Sequence, residues 1–263
     1  MWQYRIIEMG FFHADGGAMF GAIPKKAWNR KYPSNENNCC VLSMNCLLVW
    51  NGDRVILFDT GVGTKDLGKL SYYCFSELKD ISEVVRSNGF EPEEITDVVL
   101  SHLHFDHCGG CTYLDEKSNL KVTFPNAIHW VGETQWENYL NPNPLEKASY
   151  RKTDLMPVFG SNLLKLVQSD IELYPGLQIS LFDGHSSGQL VSIIESEDEQ
   201  ILFLSDTIPT KAHFSNEWIS AYDISPLDSL NAKMKIKKLI EKKNTRIVFY
   251  HDAYQKSFRY PIK

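Results

Sequence analysis

No stretch of the sequence approaches the ~18 consecutive apolar residues that a membrane-crossing helix needs, so no span is expected. Cysteine is sparse: six in 263 residues do not make the disulfide framework of a small secreted domain. The N-terminal run Met1 to Glu8 lacks a basic start, an apolar core and a small-residue cleavage site. It reads as a strand rather than a signal peptide, and the cytoplasm becomes the expected compartment. Positive charge is also short, with 27 Lys and Arg against 33 Asp and Glu, a net charge of −6. That balance argues against a nucleic-acid partner, which needs a basic footprint. The one basic patch, the lysines of 233–243, falls on an expected helix and reads as a solvated face. No internal repeat is visible. The remainder is ordinary for a globular protein, 43% hydrophobic and 23% charged, and one domain over 1–263 with one sizeable core is expected.

Histidine is concentrated. Three of the eight lie within six residues, in Ser101-His102-Leu103-His104-Phe105-Asp106-His107, directly after the apolar run Val98-Val99-Leu100. The run reads as a short buried strand, which places the cluster where a strand gives way to a loop. In extended backbone, residues two apart share a face, so His102, His104 and Asp106 can converge. His107 then needs the chain to turn, and Cys108-Gly109-Gly110 permits that. Imidazoles with a carboxylate suit zinc or a similar first-row metal. Four such ligands on one ion would leave no open position, so two ions are expected.

Other strand ends carry similar residues. Leu177 to Phe182 reads as a strand delivering His185, flanked by Gly184 and Ser186. Val191–Ile194 and Ile201–Leu204 read as a hairpin whose second strand ends at Asp206. Arg246 to Tyr250 reads as the last strand, ending at His251. Earlier, 3–13 and 41–50 read as strands, Asn51-Gly52-Asp53 as a hairpin turn, and Val55–Phe58 as a buried strand ending in Asp59-Thr60-Gly61. Leu78, Ile81, Val84 and Val85 follow helical spacing between Ser76 and Asn88-Gly89. Residues 127–131 read as a strand in which His129 is a packed histidine, not a ligand. Segment 133–162 is helical or irregular, interrupted by Pro142, Pro144 and Pro157, and offers a place for a substrate-facing insertion. Ser225-Pro226-Leu227-Asp228 opens a helix reaching about Lys243. Asp15-Gly16-Gly17 reads as a turn. Within the 14–38 loop, Ala18 to Asn38 has no clear periodicity, but Met19, Phe20, Ile23 and Trp28 seek burial, as a pocket wall or a homodimer contact. Cys108 and Cys111 read as packed thiols rather than a redox or zinc pair, and Cys39-Cys40 as buried.

The HxHxDH pattern resembles the signature of the metallo-β-lactamase-fold hydrolases, and Asp59-Thr60-Gly61 resembles the element beside their metal loop, whose Asp supports the ligands. The resemblance runs from Asp59 to His251. It implies an α/β four-layer αββα sandwich of two mixed β-sheets flanked by helices. It also assigns His102, His104 and His185 to one ion and Asp106, His107 and His251 to the other, with Asp206 bridging. The ions would be zinc, with iron or manganese as alternatives. A bridging hydroxide would then attack an ester, lactone or related bond of a small-molecule substrate, with Asp106 as proton shuttle.

Twelve residues follow His251, which sets aside the glyoxalase II arrangement. The tail and the long 107–185 gap look like the N-acyl homoserine lactonases and the related organophosphate hydrolases. Two positions depart from that branch. Pro209 stands where lactonases carry a Tyr that aids the carbonyl, leaving Tyr222 or His213 as substitutes. Gln189 stands where a second His is common. The alternatives kept open are a phosphotriester or phosphodiester hydrolase of the same fold, a mononuclear iron oxygenase and a non-catalytic metal-binding module.

Overall fold

The computed structural model describes residues 1–241 and 243–260. β1 (Gln3–Asp15) is followed by two short helices, α1 (Gly16–Phe20) and α2 (Lys25–Trp28), and then by β2 (Cys39–Trp50), which pairs antiparallel with β1. The Asn51 side chain accepts from the N–H groups of Asp53 and Arg54 (3.1 and 3.0 Å) and turns the chain into β3 (Val55–Phe58), also antiparallel. β4 (Asp97–Val99) lies parallel to β3, which requires a crossover, and α3 (Ile81–Ser87) lies on it. After β4 comes a single helical turn, α4 (Phe105–Cys108), then a small hairpin, β5 (Thr112–Leu114) and β6 (Leu120–Val122). β7 (Ile128–Gly132), α5 (Glu133–Leu140), α6 (Lys152–Gly160) and β8 (Leu164–Val167) complete the first half. The first sheet has the order β1-β2-β3-β4-β7-β8.

The second half forms another six-stranded sheet from β9 (Ile171–Tyr174), β10 (Leu177–Phe182), β11 (Gln189–Glu195), β12 (Gln200–Phe203), β13 (Thr245–Val248) and β14 (Ser257–Tyr260). Its order is β14-β13-β12-β11-β10-β9, with β12 and β13 parallel across α7 (Pro226–Ile240) and the other pairs antiparallel. Both sheets are mixed. Their facing sides share one core, joined for example by Phe58 of β3 against Phe203 of β12 (ring centroids 5.8 Å apart). β2 is buried from Leu42 to Val49, as a strand covered on both faces must be. On the outer side of the second sheet, Val191, Ile193, Leu202 and Ile247 meet Ile236 and Ile240 of α7. Those helix positions are buried with Ser229, Ala232 and Lys233, a stripe of period 3.6. α5 lies on β7 and β8 of the first sheet. The result is the expected sequence of layers, helix on sheet on sheet on helix.

Several local readings change. The 14–38 stretch is not a plain loop: Asp15 caps α1 by accepting from the Ala18 N–H (2.9 Å), and Phe20 stacks on Trp28 (4.9 Å). Asp80, not Ser76, caps α3; the Ser76 backbone instead bridges to Phe11. Pro157 lies inside α6 rather than breaking it. α7 stops at Ile240, short of Lys243, and Lys242 lies outside the described residues. β13 ends two residues before Tyr250, and β14 follows it, a strand not anticipated. Cys40 is buried, but Cys39 is partly exposed. Among the described residues no helix is long and apolar enough to cross a membrane.

Candidate metal centre

The carboxyl ends of β3, β4, β10, β12 and β13 meet at one edge of the sandwich and carry Asp59, the 102–107 cluster, His185, Asp206 and His251. Their ligating atoms fall into three overlapping groups, each within 4.8 Å: His102/His104/His185, His102/His107/Asp206 and Asp106/His107/His251. His104 Nδ1 lies 3.1 Å from His102 Nε2 and 3.2 Å from His185 Nε2. Asp106 Oδ2 lies 3.6 Å from His107 Nε2 and 3.5 Å from His251 Nε2. Asp206 faces both sides, Oδ2 toward His185 Nε2 (3.4 Å) and Oδ1 toward His107 Nε2 (3.5 Å) and His251 Nε2 (3.1 Å). All seven side chains singled out in the sequence are therefore in one place.

The local backbone is not the one expected. Asp106 and His107 sit on the helical turn α4, not on an extended chain. The glycines matter for a different reason as well. Gly109 has an ordinary helical φ of −60°, but a Cβ there would overlap the Val62 carbonyl, and one at Gly110 would overlap that of Thr60. They allow close approach of the turn after Asp59, where Thr60 N–H donates to the His107 carbonyl (2.7 Å).

Each inward-facing imidazole is held by its outer nitrogen. His107 Nδ1 meets Asp59 Oδ2 (2.8 Å), His251 Nδ1 meets the Ser43 carbonyl (2.8 Å) and His185 Nδ1 meets Asp223 Oδ1 (3.1 Å). His104 is turned the other way, with Nε2 on Glu146 Oε1 (3.2 Å). His102 Nδ1 meets Ser101 Oγ (3.1 Å), whose proton goes to Asp59 (2.7 Å). Tyr250 donates to the Asp106 carbonyl (2.6 Å) and stacks on His107 (4.0 Å).

Two features test whether these residues fit metal ions. The edge of a tetrahedron with bonds of about 2.0–2.1 Å is roughly 3.3–3.4 Å, and the donor separations here, 3.1–3.6 Å, bracket it. Second, His107 Nε2 and Asp206 Oδ1 are buried without a hydrogen-bond partner, a costly state that a cation relieves. The residues fit. In the protein alone, burial and the neighbouring imidazoles pull His102 well below the usual histidine range. Burial acts on His107 in the same sense, but Asp106, Asp206 and Asp59 outweigh it and hold that ring well above. Burial would raise Asp206; His251, His107 and His185 instead keep it far below the usual carboxylate range.

A cavity of about 200 Å³ opens over the cluster. Its walls include Phe12, Met19, Leu42, Phe105, Leu145 and Ile224, with Tyr73 and Tyr222, and no Lys or Arg among the described residues lines it. Met19, from the 14–38 stretch, thus does form pocket wall. Pro209 lines the cavity where a Tyr was sought, and Tyr222 reaches it. His213 does not: it is buried, bonded to Thr210 Oγ1 and the Met19 carbonyl (both 2.7 Å) and stacked on Phe20. Gln189 is spent on a hydrogen bond to Thr207. His129 is buried in β7, Nδ1 on the Ala127 carbonyl (3.1 Å). Cys108 and Cys111 are buried free thiols, both pushed up by burial, Cys111 to about 12. Glu146, Asp223 and Tyr250 were not found from the sequence.

Residues 41–251 match the Metallo-beta-lactamase superfamily. A crystal structure of a probable metal-dependent hydrolase from Staphylococcus aureus superposes with a TM-score of 0.90 at 30% identity, over 98% of this chain and 92% of that one. An N-acyl homoserine lactonase of Bacillus cereus is 28% identical over 232 residues, 83% of this chain and 84% of the relative. A dizinc quorum-quenching lactonase, solved with a product, has the same fold (TM-score 0.77, 21% identity, 100% and 91% coverage). With the two mixed sheets and the histidine-rich edge between them, these likenesses show that the chain belongs to the metallo-beta-lactamase superfamily.

Proposed function

We propose that this chain is a metal-dependent hydrolase that holds two divalent ions, zinc in preference to iron or manganese, and opens an ester or lactone bond of a small neutral molecule. The observation that carries the reading is the 3.1–3.6 Å spacing of inward donor atoms, with outer imidazole nitrogens already bonded. His102, His104 and His185 would hold one ion, and Asp106, His107 and His251 the other. Asp206, with one oxygen toward each group, would bridge them. Bound there, the pair of ions would supply hydroxide at neutral pH and polarise the scissile carbonyl.

The chain's own side chains do the rest. The apolar walls seat the acyl part of the substrate and exclude bulk water. Asp106 lines the cavity and is placed to carry a proton to the departing alkoxide oxygen. Burial first, then Asp15 and Asp106, push the Tyr222 phenol up, so it stays protonated at neutral pH and can donate to the substrate carbonyl. Apart from the ions themselves, no Lys or Arg among the described residues lines the cavity, so its walls offer no charge-assisted bond to an anionic substituent on the substrate. That composition and the lactonase relatives both favour a lactone. The shared core of the two sheets supports taking residues 1–263 as one domain.

Metal analysis of protein purified without added metal, followed by a panel of lactones, aryl esters and phosphotriesters, tests the proposal. Two ions per chain and chelator-sensitive lactone hydrolysis are expected. One iron per chain with no hydrolysis, or hydrolysis indifferent to metal removal, would refute it.

A further inference from the structure

Glu146 comes from the stretch between α5 and α6, not from a strand end, yet its carboxylate reaches the candidate metal centre. It is 2% exposed. A buried carboxylate needs donors, and this one has five neighbours able to supply them. Oε1 accepts from the Tyr150 hydroxyl (2.8 Å) and lies 2.5 Å from Ser186 Oγ and 3.2 Å from His104 Nε2. Oε2 accepts from the side-chain amides of Asn138 (2.7 Å) and Asn143 (2.5 Å). The Tyr150 oxygen in turn accepts from Gln135 and Asn138 (both 2.9 Å), which commits its proton to Glu146. Ser186, next to His185, has one proton and two acceptors, Glu146 and Gln135 Oε1 (2.6 Å). Glu146 thus links α5, the 143–150 turn and the loop that carries His185.

His104 is the imidazole that presents Nδ1 inward, toward His102 and His185. A neutral imidazole has one N–H and one lone pair, and the hydrogen bond on one nitrogen decides which is which. We propose that Glu146 is a positioning residue: by accepting the Nε2–H of His104 it fixes the tautomer whose Nδ1 lone pair is free to bind metal, and through Ser186 it anchors the His185 loop to the same carboxylate. This rests on the two-ion reading of the site. A surface carboxylate could not do the same, because water would compete for both groups. Here five neighbours hold the acceptor in place before any ion arrives.

The test compares three measurements. In metal-free wild-type protein, long-range 1H–15N spectra should show His104 as the Nε2–H form; the Nδ1–H form would overturn the proposal without any variant. Glu146→Gln keeps the shape but sets an amide N–H2 among donors. It should weaken the ion expected at His102, His104 and His185 roughly 10–100-fold in chelator competition and mix the His104 tautomers. Ile240→Val removes a methylene from the buried end of α7, apart from Glu146 and its partners; it should lower the melting temperature with metal affinity unchanged. Wild-type affinity in Glu146→Gln, or equal loss in Ile240→Val, would reduce Glu146 to a structural brace. If wild-type protein binds no metal, the two-ion reading itself fails, and that result is separate from an unaffected variant of a metal-binding parent.

Discussion

Asp59→Asn separates the charge beneath the metal centre from the backbone that carries it. Asp59 has a φ of +56°, a conformation that Asn and Asp adopt more readily than other non-glycine residues. The substitution therefore adds little backbone strain, whereas Ala would add some. Oδ1 of Asp59 accepts from the Ser101 N–H (2.7 Å), and Oδ2 accepts from Ser101 Oγ (2.7 Å) and faces His107 Nδ1 (2.8 Å). An amide has one oxygen. If it keeps Ser101 N–H, its N–H2 points at His107 Nδ1, which must then accept. The proton moves to Nε2, the atom that otherwise faces Asp106 and Asp206 with no hydrogen-bond partner. The lost charge-assisted bond costs about 1.5–3 kcal/mol. Ser101 Oγ can turn to Ser205 Oγ, 2.8 Å away, so the total stays near the low end, about 2 kcal/mol. A domain with ~5–15 kcal/mol of stability remains folded, and at an m-value of ~2–3 kcal/mol per molar the urea midpoint falls by a little under ~1 M. Metal affinity should fall further, roughly 10–100-fold, for the ion expected at Asp106, His107 and His251. Urea unfolding and chelator competition on one preparation measure both quantities. If the midpoint falls as calculated while both ions bind as before, Asp59 supports only the turn and the tautomer reasoning is wrong.

Stripping metal should destabilise the fold, since an ion held at a hundred times its dissociation constant contributes about 2.7 kcal/mol; a melting temperature indifferent to chelator would count against the centre. Tyr222→Phe should lower kcat/KM for a lactone about tenfold, the worth of a hydrogen bond of ~1.4 kcal/mol, with metal content intact. An unchanged rate would leave the carbonyl without help from that phenol. Lys233 is buried on α7, donates to the Trp218 carbonyl (2.5 Å) and is pushed down by burial to about 8. Its unfolded value lies near ~10.4, so between those values the unfolded chain binds more protons and stability rises with pH. The charge penalty is full below pH ~8, and Lys233→Met should raise stability at pH 7 by about 1–3 kcal/mol and flatten the rise. A fall in stability on that substitution would show that the Trp218 bond outweighs the buried charge.

What could be read from the sequence were side chains that chemistry and position mark together. His102, His185, Asp206 and His251 each follow an apolar run, so a strand end and a ligand type coincide, and the seven candidates meet. Glu146 and Asp223 carry no such mark. Each faces its histidine across 42 and 38 residues of chain, and among 33 acidic residues a carboxylate in an irregular stretch looks solvated until the partner is seen. The overlooked strands β5, β6, β8, β9 and β14 are three or four residues long and half exposed, too short for a period of two to register. Gly109 and Gly110 show a subtler limit. The sequence says where a Cβ is absent but not why, and backbone freedom and close approach leave the same letter. Only the Val62 and Thr60 carbonyls lying against them decide it. The same holds for tautomers: a histidine names two nitrogens, and the oxygen behind the ring, supplied by a distant part of the chain, selects the one that faces the metal.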